Sequence, residues 1–268
     1  MHLTKHHGLG NDFLVLVDLE DSSPIDASLT RAVCDRRTGI GADGLIRATP
    51  GRDGAAFTME LLNSDGSPAE MSGNGIRCLV QAVVLARIAP GSEFVVATAG
   101  GDRAVAHGAG NSPGESWVSV DMGPARPGSV DVAAISHQQP PIDAATIDIG
   151  NPHLVLHVDD PRSVDLAAEG PVYEAQFPNG ANVEWIRPTD VGLELSVWER
   201  GAGITMACGT GACAAATAAH GWGLVPDRVR VEMPGGSVDV VMGETVVLAG
   251  PATFVGSIEL EPAYLVRS

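Results

Sequence analysis

The chain carries a single lysine, Lys5, among 268 residues. A pyridoxal-phosphate enzyme needs a Schiff-base lysine in its cofactor pocket, so this scarcity weighs against that class. Positive charge is scarce in general: the formal net charge is −17. A chain of that sign is repelled by nucleic acid and anionic membranes instead of gaining affinity by counterion release, and neither is expected as a partner. No apolar run reaches the roughly 18 residues of a membrane span, and the opening "MHLTKHHGLGND" has no signal-peptide core, so a cytoplasmic protein is expected. Cys34, Cys78, Cys208 and Cys213 form no C-x-x-C pair and no cysteine–histidine set at zinc spacing. Free thiols are expected, with Cys34, Cys78 and Cys213 as small buried apolar groups. The P-loop G-x-x-x-x-G-K-[ST] is absent, as is the third glycine of a dinucleotide fingerprint, which weighs against phosphate binding.

What is present is a hydrophobic content of 44% and 33 glycines without a strict period, the composition of a loop-rich globular protein. A length above about 200 residues suggests two domains or one large one. "FLVLVD" (13–18) reads as a buried strand, "DASLTRAVCDRR" (26–37) as a helix, and "GIRCLVQAVVLARIAPG" as a helix stopped by Pro90 and Gly91. Further on come "ATIDIGNPHLVLHVDD" as strand, turn and strand, a short helix near 162–168, strands in "NVEWIRP" and "LELSVWER", a helix in "CGTGACAAATAAHG", and hairpins from 228 to 260. Both halves place [Ser/Cys]-Gly-x-Gly at a helix start, in "AEMSGNGIRC" and "MACGTGAC", and both carry a Gly-Asn turn beside a strand, Gly10-Asn11 and Gly150-Asn151. An internal duplication follows, with halves at 1–122 and 123–268, the last strand free to return to the first half, and a linker near Pro124–Gly128. The small side chains of the second helix suit a helix sheathed in sheet better than a surface helix. The expected fold class is α+β: two pseudo-symmetric domains of strands wrapped around a central helix, with the active site in the cleft between them.

A glycine-lined helix start offers backbone N–H groups and the positive end of a dipole, which suits an anion. Taken singly, such a turn reads as punctuation and Cys208 as a core thiol. Taken together, two such turns read as a clamp for one carboxylate. Cys208 at a helix N-terminus is then a thiol expected to be lowered toward neutrality, a base for the carbon next to that carboxylate. Racemising an α-carbon without a cofactor needs a base on one face and an acid on the other, with electrostatic stabilisation between them.

"KHHGLGNDFLVL", "GIGADG", "NSDGSPAEMSGNGIRC", "GNPHLVLHVDD", "GANVEW" and "WERGAGITMACGTGACAA", in this order over nearly the whole chain, resemble the diaminopimelate epimerase family. The resemblance implies two domains of common fold, no metal or coenzyme, a small-molecule amino-acid substrate, and interconversion of LL- and meso-diaminopimelate; it leaves a homodimer open. It implies that Cys208 is the second catalytic cysteine and that Ser72 stands where the first is expected. His153 and Glu199 match positions that orient and tune the pair. Gly73, Asn74, Gly209 and Thr210 match donors to the reacting carboxylate. Asn11, Asn63, Asn151, Asn182 and Arg200, with Glu199, match groups that recognise the substrate, several at its far end. The chemistry agrees, since asparagine offers donor and acceptor to a zwitterion and arginine takes a carboxylate in bidentate fashion.

Two residues depart from the pattern. Gly44 sits where some members place a binding glutamine. Ser72 offers a hydroxyl in place of a thiol, a far weaker acid, with each unit of pKa mismatch worth about 1.4 kcal/mol. The sequence therefore leaves open an impaired epimerase, another cofactor-independent racemase or single-cysteine dehydratase of this fold, and a catalytically silent amino-acid-binding protein.

Overall fold

The computed structural model describes residues 1–69, 71–137 and 139–265. In chain order the strands are β1 (His2–Gly8), β2 (Asn11–Val17), β3 (Gly44–Pro50), β4 (Phe57–Asn63), β5 (Glu93–Thr98), β6 (Gly101–Ala109), β7 (Glu115–Asp121), β8 (Arg126–Pro127), β9 (Asp143–Asp148), β10 (Pro152–His157), β11 (Asn182–Thr189), β12 (Gly192–Glu199), β13 (Gly203–Ile204), β14 (Arg228–Met233), β15 (Gly236–Val241) and β16 (Val247–Glu259). The main helices are α1 (Ala27–Cys34), α2 (Gly73–Leu85), α3 (Leu166–Glu174) and α4 (Gly209–Gly221). Two compact units divide the chain: Met1–Val120 with the segment from Gly250 onward, and Asp121–Ala249.

In the first unit the strands run β1-β2-β3-β4-β5-β6-β7-β16, and β16 pairs back with β1, Leu3 opposite Ile258. The ring therefore has no free edge. It surrounds α2, whose residues from Gly73 to Val83 are all buried and which packs on β1, β2, β3, β4 and β6. In the second unit the order is β15-β14-β12-β11-β10-β9-β8, and α4 packs on β9, β10, β11, β12, β14 and β15. All of α4 from Gly209 to Ala216 is buried. Its alanines, glycines and Cys213 let strands approach on several sides, which is why so small-residued a helix has no solvent face except near its C-terminus.

Strand pairing carries the duplication. β1–β2 and β9–β10 are antiparallel, β2–β3 and β10–β11 parallel, β3–β4 and β11–β12 antiparallel, β4–β5 and β12–β14 parallel. Counted from β1 and from β9, each unit puts one helix between its second and third strands and its central helix after its fourth, with the short β13 intervening in the second unit.

The structure differs from the sequence reading at three places. α2 ends at Leu85 and not near Pro90: Arg87 adopts φ 60 and Ile88 N–H bonds the Val83 carbonyl, a Schellman-type stop ahead of the proline. The helix expected near 162–168 is a 3₁₀ turn at Pro161–Ser163 followed by α3, which runs through Gly170-Pro171. Gly170 is required there because a Cβ would fall 2.3 Å from the Trp198 ring. The segment read as a linker enters the sheet, with Arg126–Pro127 pairing on β9.

Candidate active site

In the first unit, Ser72 caps α2 with an extended backbone (φ −142, ψ 117), and its Oγ accepts the Gly75 N–H at 3.0 Å. Asn74, buried in the first turn, donates through Nδ2 to Oδ1 of Asn11 at 3.1 Å and accepts from Arg77 at 2.7 Å. Asn11 in turn donates to Asp43 at 2.9 Å. Arg36 bridges Asp43 and Asp12 at 2.7 Å each, and Lys5 Nζ lies 2.8 Å from Asp12 and 2.6 Å from the Gly41 carbonyl. Burial would raise the Asp12 carboxyl, but hydrogen bonds from Arg36 and Lys5 outweigh it and hold the group at about 2. The lone lysine thus anchors the strand pair that carries Asn11. Asn63 stands at the end of β4 opposite Gly44, and its amide donates to Ser67 Oγ at 3.1 Å.

The second unit repeats this start with a thiol. Cys208 caps α4 with nearly the same backbone (φ −122, ψ 116), and its Sγ accepts the Gly211 N–H at 3.3 Å. Because the cap takes the third N–H of each helix, the first-turn groups of Gly73, Gly209 and Thr210 occupy positions where helix geometry supplies no acceptor. Thr210 Oγ1 lies 3.5 Å from the sulfur and accepts from Asn151 Nδ2 at 3.4 Å. His153, fully buried, sets Nε2 2.9 Å from Asn151 Oδ1 and Nδ1 2.7 Å from Glu184 Oε1. Glu199 accepts a hydrogen bond from Thr205 Oγ1, and its carboxyl faces the Cys208 thiol. Asn182 receives the Arg200 backbone N–H at 3.0 Å and donates to the Pro152 carbonyl at 3.2 Å. The Arg200 guanidinium is exposed and reaches the Asn179 carbonyl at 3.4 Å.

Cys208, Thr210, Asn151, His153, Glu199, Asn182 and Arg200 therefore gather in one unit, and Ser72, Asn74 and Asn11 in the other. One expectation is corrected. The Cys208 thiol is raised well above its usual range, chiefly by burial and then by the facing negative charge of Glu199; the N–H of Gly211 and the hydroxyl of Thr210 lower it only in part. In this protein the thiol is the resting form. Burial likewise raises the Glu199 carboxyl, against the hydrogen bond from Thr205 and the facing Cys208 thiol. All four cysteines are buried and lie outside any disulfide. Among the described residues no three His, Cys, Asp or Glu side chains could hold a metal ion, and no helix is long and apolar enough to cross a membrane.

Register makes the two starts comparable residue by residue. Phe13 pairs with Gly44 across the parallel β2–β3 ladder as His153 pairs with Asn182 across β10–β11. Two residues on, Ile46 lies under Gly75, and Glu184 lies under Gly211. The positions that hold His153, Glu184 and Cys208 in the second unit hold Phe13, Ile46 and Ser72 in the first. Glu184 is absent from the sequence-derived set, because within "NVEWIRP" it reads as the solvent-facing residue of an alternating strand.

The architecture of two repeated units of strands around a buried helix is shared with solved racemase and epimerase structures. The fold matches a probable proline racemase from Agrobacterium radiobacter with a TM-score of 0.73 and 15% identity, over 97% of this chain and 93% of that one. It also matches a phenazine biosynthesis protein of the PhzF family from Bacillus anthracis, with a TM-score of 0.72 and 13% identity over 97% and 99%. Among proteins of that architecture, the family model for diaminopimelate epimerase matches residues 3–127 and 145–255. Diaminopimelate epimerases from Gloeothece citriformis (38% identical) and Pseudomonas entomophila (37%) each align over 97% of this chain and 99% of their own length. The chain belongs to the diaminopimelate epimerase family.

Proposed function

We propose that the chain is an isomerase that interconverts LL- and meso-diaminopimelate by moving the proton at one α-carbon with its own side chains. The observation that supports this most directly is the Cys208 site, in which a capping thiol meets Glu199, Thr210 and, through Asn151, His153, within a chain that matches the family over nearly its full length. In this reading Cys208 gives and takes the α-proton on one face. The first-turn residues Gly73, Asn74, Gly209 and Thr210 hold the reacting carboxylate, and Asn11, Asn63, Asn151, Asn182 and Arg200 hold the rest of the substrate. Glu199 and His153 tune the thiol. Ser72 serves the opposite face, and its hydroxyl is too weak an acid to match a thiol there. The reading places the protein in the cytoplasm and allows a homodimer, which light scattering tests.

The test is incubation with LL- and, separately, with meso-diaminopimelate in heavy water, with isomers separated by chiral chromatography and α-deuterium read by NMR. Deuterium at the α-carbon that disappears in Cys208→Ala is expected. Lysine, lacking the far carboxylate, is expected to bind much more weakly in calorimetry. Equal affinity for both, or exchange that persists in Cys208→Ala, overturns the reading.

A further inference from the structure

We propose that Glu184 is a positioning residue for Cys208: it stands as a buried neutral carboxylic acid that donates Oε1–H to Nδ1 of His153 and fixes the histidine as its Nε2–H tautomer. The inference rests on the proposed function only in taking Cys208 as the reacting group. Both side chains are 0% exposed and lie 2.7 Å apart. The other oxygen, Oε2, is buried with no hydrogen-bond partner. An ionised carboxylate spreads its charge over both oxygens, and leaving one of them dry and undonated is far costlier than leaving the carbonyl oxygen of a neutral acid in that place. The surroundings push the same way. The titratable groups turned toward this pair are His153 itself from β10, Glu199 from β12 and Cys208 at the start of α4, so an anion at Glu184 would sit beside a second carboxylate. Burial correspondingly raises the Glu184 carboxyl.

The consequence reaches the sulfur. With Nε2 protonated, His153 donates to Asn151 Oδ1, the Asn151 amide donates to Thr210 Oγ1, and the Thr210 hydroxyl is left to point at Cys208. Every donor in the chain then faces the thiol. The opposite tautomer presents a bare Nε2, turns the Asn151 amide over, and offers Thr210 a carbonyl oxygen in place of the sulfur. Glu184 thus decides whether the Thr210 hydroxyl serves Cys208 or Asn151. The first unit, with Ile46 and Phe13 at the matching positions, carries no such chain.

The experiment is a two-bond ¹H–¹⁵N correlation spectrum of the full chain labelled at histidine nitrogen, without substrate, with the His153 signal identified by its loss in His153→Gln. The expected result at pH 7 is a ring with Nε2 protonated and Nδ1 bare. Glu184→Gln, whose amide can donate to Nδ1, keeps this pattern. Glu184→Leu loses it and slows alkylation of Cys208 at pH 9 about tenfold, one unit of thiol pKa, whereas Glu184→Gln does not. A doubly protonated His153 at pH 7, a protonated Nδ1 with bare Nε2, or unchanged alkylation in a folded Glu184→Leu overturns the proposal; if the leucine variant does not fold, the wild-type spectrum alone decides. Absence of α-hydrogen exchange with both diaminopimelate stereoisomers, together with the expected tautomer, overturns the epimerase reading alone.

Discussion

Ile46 and Glu184 hold the same place in the two units, each against the third residue of a buried helix. A Cβ built on Gly75 would lie 3.3 Å from Ile46 Cδ1, and one on Gly211 would lie 2.7 Å from Glu184 Oε1. The isoleucine methyl ends a side chain that can shift; the carboxyl oxygen is tied to His153 and cannot. Alanine gains about 0.5–1 kcal/mol over glycine inside a helix. Gly75→Ala is therefore expected to be close to neutral in urea unfolding. Gly211→Ala is expected to lose about 1–3 kcal/mol, the cost of overpacking, and equal midpoints for the two variants would refute the difference.

A second prediction concerns acid. Arg47 is buried and meets Asp18 at 2.7 Å, with Asp18 also accepting the N–H groups of Ser22 and Ser23. Burial alone would raise the Asp18 carboxyl, but these partners hold it at about 2 against a usual 3.8. A folded-state pKa below the unfolded one stabilises fully above about pH 4 and loses that contribution as pH falls toward 2. Asp18→Asn is expected to cost about 1–3 kcal/mol at neutral pH, the cost of removing one partner of a buried group, because Arg47 keeps Asp21 and Glu60. It should also flatten the fall in stability between pH 4 and 2, read from urea midpoints at stepped pH.

Much of this arrangement is legible in the sequence, and the exceptions have physical causes. The capping roles of Ser72 and Cys208 follow from Ser/Cys-Gly-x-Gly before an apolar run, and the sheathing of α4 follows from its small residues. α3 is hidden because Gly170-Pro171 reads as a breaker, while packing against Trp198 demands that glycine. Glu184 is hidden because alternation assumes one wet face, yet Asn182, Val183, Glu184, Trp185 and Ile186 are all buried. The resting state of Cys208 is hidden because a helix terminus argues for a lowered thiol, and only the fold reveals the burial and the Glu199 charge that overrule it.

That override is itself testable. Glu199→Gln removes the negative charge facing Cys208, so the thiol should fall toward its ordinary range. Alkylation of Cys208 by iodoacetamide at pH 8 is expected to rise about tenfold for each unit of that fall. Burial pushes Cys34 and Cys78 up to about 12, so both should stay unlabelled in either protein. Peptide mapping by mass spectrometry distinguishes the sites, and a rate at Cys208 that is unchanged or lower in the variant would show that access controls its reactivity and charge does not.

Ser72→Cys is the decisive substitution for the asymmetry between the two helix starts. The site can accept a thiol: Cys208 adopts nearly the same backbone and bonds Gly211 N–H at 3.3 Å, as Ser72 Oγ bonds Gly75 N–H at 3.0 Å. With Ser72 in place, both stereoisomers should bind, because the first-turn N–H groups and the asparagines proposed to hold the substrate do not depend on the missing sulfur. Proton abstraction should proceed only from the face that Cys208 serves. In heavy water one stereoisomer is then expected to exchange its α-hydrogen slowly with retention, the other not to exchange, and net epimerisation to be almost absent. Ser72→Cys should raise epimerisation by orders of magnitude, and Cys208→Ala added to it should abolish the gain. A Ser72 protein that already turns over at about 1–1000 per second, the ordinary range for enzymes, would mean that the hydroxyl is activated by a neighbour and that two thiols are not needed in this chain.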